Sequence, residues 1–223
     1  DDEGQSRPDT AVGKRPVLKA GKPPILEVLL RKVRSRLLGE VLELLDEICE
    51  QKLLNETGTY GRTALMWAAS RGYAKITRCL CAAKADLEKQ TTLGGETALM
   101  FAAKNGHVEV VQELLRRSVP SGNFYRYPSK LTKQQNDSGW TALMYGSANG
   151  NMDVIRLCLD AKSDVGHTAR DETTAIAWAC SNGNASAVAY LMSQGAKPIS
   201  GKKVFQSKFL TSYMDVSAAK TTA

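Results

Sequence analysis

Only two histidines, His107 and His167, occur in the 223 residues, and neither has a cysteine or carboxylate cluster beside it. Five cysteines, Cys49, Cys79, Cys81, Cys158 and Cys180, show none of the paired spacing of a zinc site, and Cys79 and Cys81 would point to different sides of a helix. No metal is expected, and the thiols read as reduced, buried small hydrophobes. No run approaches the roughly 18 apolar residues of a membrane helix. The opening DDEGQSRPDT lacks the charged-then-apolar order of a secretory signal. These absences lead us to expect a cytoplasmic chain without membrane insertion. Because it starts at Asp1, we expect it to be part of a longer polypeptide.

Catalytic signatures are missing as well. There is no GK[ST] phosphate loop, no GxGxxG after a strand, no GxSxG and no HExxH, so no enzyme, cofactor or small-molecule substrate is expected. Gly94-Gly95 is read as a pair that supplies positive φ in a turn. The net charge of +7 is unevenly distributed along the chain, yet no long block of like charges occurs. It implies a solvated surface with a modest preference for acidic partners, and it disfavours a nucleic-acid tract, for which the basic Arg31–Arg36 stretch is the main argument.

What the chain does have is a repeat. TALMWAASRGYAKI from Thr63, TALMFAAKNGHVEV from Thr97, TALMYGSANGNMDV from Thr141 and TAIAWACSNGNASA from Thr174 align at spacings of 34, 44 and 33 residues. Each Thr can cap a helix whose small and apolar residues recur at helical spacing. A Gly nine positions later (Gly72, Gly106, Gly150, Gly183) ends that helix by taking the left-handed conformation. A second helix follows at once, with apolar positions such as Val108, Val110, Val111, Leu114 and Leu115. The expectation is an all-α stack of antiparallel helix pairs joined by extended turns.

The motif TALMxAAxxGH resembles the ankyrin repeat, whose usual signature is TPLHxAAxxGH. Met66, Met100 and Met144 stand where that family has His, and Ala64, Ala98 and Ala142 where it has Pro. The variant is similar to the protozoan ankyrin family called Protein 21.1 and to the ankyrin tails of Nek-type kinases. The resemblance implies an ankyrin-repeat solenoid that acts as a protein-binding module or scaffold. A regulatory region of a larger enzyme such as a protein kinase is the first alternative, and nucleic-acid binding the second. The partner would be another protein, with the chain itself monomeric.

We expect a linker or tail over 1–24, a degenerate capping repeat over 25–62, and repeats over 63–96, 97–140, 141–173 and 174–198. A C-terminal cap and frayed tail would cover 199–223. Within 25–62, a basic helix ILEVLLRKVRSRLL should precede a second helix GEVLELLDEICEQKLL. By resemblance, the concave surface draws on Tyr60, Arg62 and Arg71 in the first full repeat and on Leu93, Glu96 and Lys104 in the second. Trp140 and Asn149 follow in the third, Arg170 and Asn182 in the fourth. Aromatic and arginine side chains among these are favoured, because they dominate interface hot spots. Trp67, Phe101, Tyr145 and Trp178 share one repeat position and are expected to pack between repeats, while His107 is expected to serve a helix start. An insertion over 118–137 lengthens the second spacing and carries Phe124, Tyr125, Arg126 and Tyr127, which either project toward a partner beside the concave surface or fold back onto the second and third repeats.

Overall fold

A computed structural model describes residues 25–50, 54–119 and 129–197. Among them, ten helices form five antiparallel pairs: α1 (Ile25–Arg34) with α2 (Leu38–Glu50), α3 (Ala64–Arg71) with α4 (Ala74–Ala82), α5 (Ala98–Lys104) with α6 (Val108–Arg117), α7 (Ala142–Ala148) with α8 (Met152–Asp160), and α9 (Ala175–Ser181) with α10 (Ala185–Ser193). The first members line up as an inner row, α1-α3-α5-α7-α9, and the second members as an outer row, α2-α4-α6-α8-α10. One core runs between the rows. Leu65, Leu99, Leu143 and Ile176 from the inner helices and Ile76, Leu80, Val111, Leu114, Val154 and Leu191 from the outer ones are buried in it.

The short helices start where the threonines place them. Thr63, Thr97, Thr141 and Thr174 each accept a hydrogen bond on Oγ1 from the backbone N–H three residues on, at 3.3, 3.3, 3.4 and 3.4 Å. That bond satisfies one of the donors a helix start leaves open. Met66 partly does the work of a polar residue, since its sulfur accepts the Thr63 N–H at 3.5 Å. Each inner helix then ends at a left-handed Gly: Gly72, Gly106, Gly150 and Gly183 have φ of 72°, 71°, 67° and 72°. Small residues let the rows approach closely. At Gly146 an added Cβ would lie 2.9 Å from Val154 Cγ1.

The N-terminal pair differs from its expected form. The basic helix ends at Arg34 instead of running on to Leu38, because Arg36 takes φ 60° and the Leu37 and Arg36 N–H groups turn back onto the Lys32 and Val33 carbonyls. This is the usual double hydrogen bond of a helix C-terminus, built here without glycine. The segments 1–24 and 199–223 lie outside the described residues.

Candidate protein-binding surface

Between successive helix pairs the chain makes an extended turn that projects from the inner row. The base of each is closed by a backbone bond: Gly58 N–H to the Arg62 carbonyl at 3.0 Å, Thr91 to Glu96 at 3.0 Å, Asn136 to Trp140 at 3.0 Å and Ala169 to Thr173 at 2.8 Å. The turns are stitched together, with Asp137 N–H donating to the Gly94 carbonyl and Arg170 N–H to the Ser138 carbonyl, both at 3.0 Å. That stacking explains a glycine at one position of three turns. Gly61, Gly95 and Gly139 have φ of 64°, 65° and 83°, and a Cβ on them would lie 2.8, 3.0 and 2.9 Å from the backbone nitrogen of Thr92, Asp137 and Arg170. The fourth turn has Glu172 there, at φ 64°. No further turn stacks on it among the described residues.

Behind the turns the half-buried rings of Trp67, Tyr145 and Trp178 and the buried ring of Phe101 form the floor. They do not pack simply ring against ring between repeats. Of the residues just before the capping threonines, Arg62 and Trp140 each slot between two of these rings, while Glu96 and Thr173 each hydrogen-bond one. The Arg62 guanidinium carbon stands 5.0 Å from the Trp67 ring centre and 4.2 Å from that of Phe101. Glu96 accepts from the Tyr145 hydroxyl at 3.1 Å and pairs with Lys104 at 3.4 Å, while Asn136 donates to the same hydroxyl at 3.0 Å. Trp140 lies between Tyr145 and Trp178, with ring centres 5.0 and 4.5 Å away. Thr173 accepts from Trp178 Nε1 at 2.9 Å. Burial first, then the Glu96 charge and hydrogen bond, push the Tyr145 phenol well above its usual pKa, so it stays a neutral donor.

The expected contact residues thus fall into three groups. Tyr60 is 68% exposed at the tip of the first turn, and Leu93 is 74% exposed at the tip of the second. Arg71 is exposed at the end of α3, and Arg170 is exposed on the fourth turn. Arg62, Lys104 and Trp140 face the groove, but each is locked into the interleaved floor. Asn149 and Asn182 remain exposed, yet their amides already serve the array, donating to the Lys104 carbonyl and, at 2.7 Å, to the Ala148 carbonyl of the preceding inner helices. His107 does the same from the start of α6, with Nε2 3.1 Å from the Ser70 carbonyl. The interleaving was the feature missed from sequence. Its only trace there is the alternation of Arg62, Glu96, Trp140 and Thr173 with Trp67, Phe101, Tyr145 and Trp178.

Phe124, Tyr125, Arg126 and Tyr127 lie outside the described residues, but both ends of their insertion are described. Ser118 Oγ and Ser129 Oγ are 2.6 Å apart, and the Ser129 N–H donates to the Ala161 carbonyl at 3.2 Å. Leu131 and Thr132 are buried next to this clamp. The insertion therefore leaves from the C-terminal end of α6, and its returning end is held against the C-terminal end of α8 before the third turn.

On the opposite face, buried Glu113 of α6 binds Arg116 and Arg117, each at 2.9 Å, with Arg78 of α4 at 4.0 Å. Burial alone would raise its pKa, but the arginine hydrogen bonds and charges outweigh it and hold the carboxyl below its ordinary value. Buried Cys81 and Cys158 have thiols pushed up to about 12, chiefly by burial. In the basic N-terminal stretch, Lys32 pairs with Glu40, and the Arg36 guanidinium carbon lies 5.8 Å from the centre of the Tyr73 ring. Among the described residues no group of three or more potential metal ligands occurs, and no helix is long and apolar enough to cross a membrane.

The family model for ankyrin repeats (3 copies) matches residues 19–124 and 123–201. The chain belongs to the ankyrin-repeat family. Its members are in general protein–protein interaction modules and typically non-catalytic. Comparison with curated protein sequences gives no match.

Proposed function

We propose that the chain recognises a partner protein through the stacked turns and the groove behind them, as a non-catalytic scaffold or as the regulatory region of a larger enzyme. The observation that carries this is the pair Tyr60 and Leu93, two large apolar side chains left 68% and 74% exposed on adjacent turn tips. Tyr60 also holds φ 65°, a conformation that costs a non-glycine residue about 1 kcal/mol or more. Strain kept at an exposed aromatic fits a contact residue. Covering both side chains would contribute about 1.5–3 kcal/mol each before ordering costs.

The insertion, with Phe124, Tyr125, Arg126 and Tyr127, is proposed as a second contact at the edge of the array. Replacing Phe124, Tyr125 and Tyr127 with Ser should leave melting unchanged if they meet a partner, whereas self-packing predicts a loss of several kcal/mol. The buried, unreactive thiols suit a reducing cytoplasm. For the main proposal, Tyr60→Ser with Leu93→Ser should keep the parent's melting temperature and lose the proteins it captures. Gln112→Ala, on the exposed side of α6, should keep them. Capture that survives the double substitution would refute the proposal.

A further inference from the structure

The four residues that precede the capping threonines hold equivalent places against the floor rings; two of them have their polar groups engaged and a third is a neutral ring. Glu96 is paired with Lys104 and accepts from Tyr145, Thr173 accepts from Trp178, and Trp140 is an aromatic wedge. Arg62 is the exception. Its guanidinium is flanked by Trp67 and Phe101, at 5.0 and 4.2 Å, yet it has no carboxylate partner among the described residues. Cation–ring contacts engage the flat faces of a guanidinium and leave its in-plane N–H groups free to donate. The side chain is thus immobilised in advance, with a fork of donors unused among the described residues, which lowers the ordering cost of binding a carboxylate.

Its surroundings match such a ligand. Exposed Arg71 on the same face also has no acidic partner among the described residues, whereas Lys104 is neutralised by Glu96. Tyr60 lies two residues before Arg62, and Leu93 is on the adjoining tip, where Thr92 abuts Gly61. Further along, the exposed turn residues Asp137 and Asp171 are acidic and offset the one exposed arginine there, Arg170. The N-terminal half of the groove is therefore basic and apolar together, and the C-terminal half is not.

The geometry points to an acidic partner segment, an extended stretch of protein whose Asp or Glu carboxylate takes the Arg62 fork while a neighbouring large apolar side chain covers Tyr60 and Leu93. This rests on the reading that the concave face binds protein, and it adds the chemistry and the place.

The test is selection from a library of random unphosphorylated peptides on the whole chain, followed by affinity measurement on four variants. Arg62→Met fills the slot between the rings without a charge. Arg62→Lys keeps the charge without the fork. The third is Tyr60→Ser with Leu93→Ser, the fourth Gln112→Ala, and each is first checked by its melting curve. The selected peptides should carry Asp or Glu beside a large apolar residue. Changing that acid to its amide should weaken binding to the parent at least about tenfold and have little effect on Arg62→Met, with Arg62→Lys between them. Peptides that need Tyr60 and Leu93 but show no acidic preference, or lose equally on both chains, overturn the inference and leave the concave reading standing. Peptides indifferent to all groove substitutions overturn both. An empty selection, or a phosphorylated version that binds far more tightly than the carboxylate, also overturns it.

Discussion

Gly139→Ala tests how the turns are held in their stack. At φ 83° the new methyl would take a backbone conformation that costs an L-residue about 1 kcal/mol or more. The Cβ would also lie 2.9 Å from Arg170 N and 3.1 Å from Ala169 Cα, backbone atoms with no rotamer to escape through. Relief by backbone shifts costs about 1–3 kcal/mol, and the reduced freedom of the unfolded chain returns about 0.4–1 kcal/mol. The net expectation is a loss of roughly 2–3 kcal/mol, or about 5–10 °C in Tm for a chain of this size. Glu172→Ala is the internal control, because it puts the same residue at the equivalent position and nearly the same φ, 64°, where a side chain is already accommodated. It should change stability by less than about 1 kcal/mol. Thermal melts followed by far-UV circular dichroism read both. Two variants melting within about 2 °C of each other would show that the neighbouring turn does not impose the glycine.

Ala102→Asp buries a charge at a fully buried site on α5 and, in an array held by nearest-neighbour interfaces, should unfold at least the two flanking repeats; unchanged melting would refute the register. Glu113→Gln should cost about 1–2 kcal/mol at pH 7, because the amide has no charge and only one acceptor oxygen to offer Arg116 and Arg117. Because the folded-state pKa of Glu113 is depressed, its contribution is present above the ordinary value of 4.5 and is lost as pH falls through the folded pKa, so urea midpoints of parent and variant should converge in acid; a constant gap would contradict this. In the native chain at pH 8, Cys81 and Cys158, with thiols near 12, should resist iodoacetamide until the array unfolds, while half-buried Cys79 reacts first. Fast labelling of Cys158 would argue against its burial.

The elements fixed by local chemistry were legible in the sequence. Thr63, Thr97, Thr141 and Thr174 act as caps within three residues of themselves, and the left-handed glycines end the same helices, so both signals survive in any window that contains them. The break after Arg34 was not legible, because Arg36 takes a left-handed turn without the glycine that would announce it. Among the candidate contacts, Tyr60 and Leu93 stand out by exposure. The separate state of Arg62, Glu96 and Trp140 depends on which ring of the next repeat each meets, a relation between residues tens of positions apart. Asn149 and Asn182 mislead for the same reason, since the carbonyls they bind belong to the preceding repeat.

Photo-crosslinking reports the binding face directly. With p-benzoylphenylalanine introduced in turn at Tyr60, Leu93, Gln112 and Asp153, and the chain incubated with its captured partner, covalent adducts should form from the two turn-tip positions and not from the exposed outer-helix positions of α6 and α8. Adducts from Gln112 or Asp153 with none from Tyr60 or Leu93 would move the partner to the outer face and contradict the account.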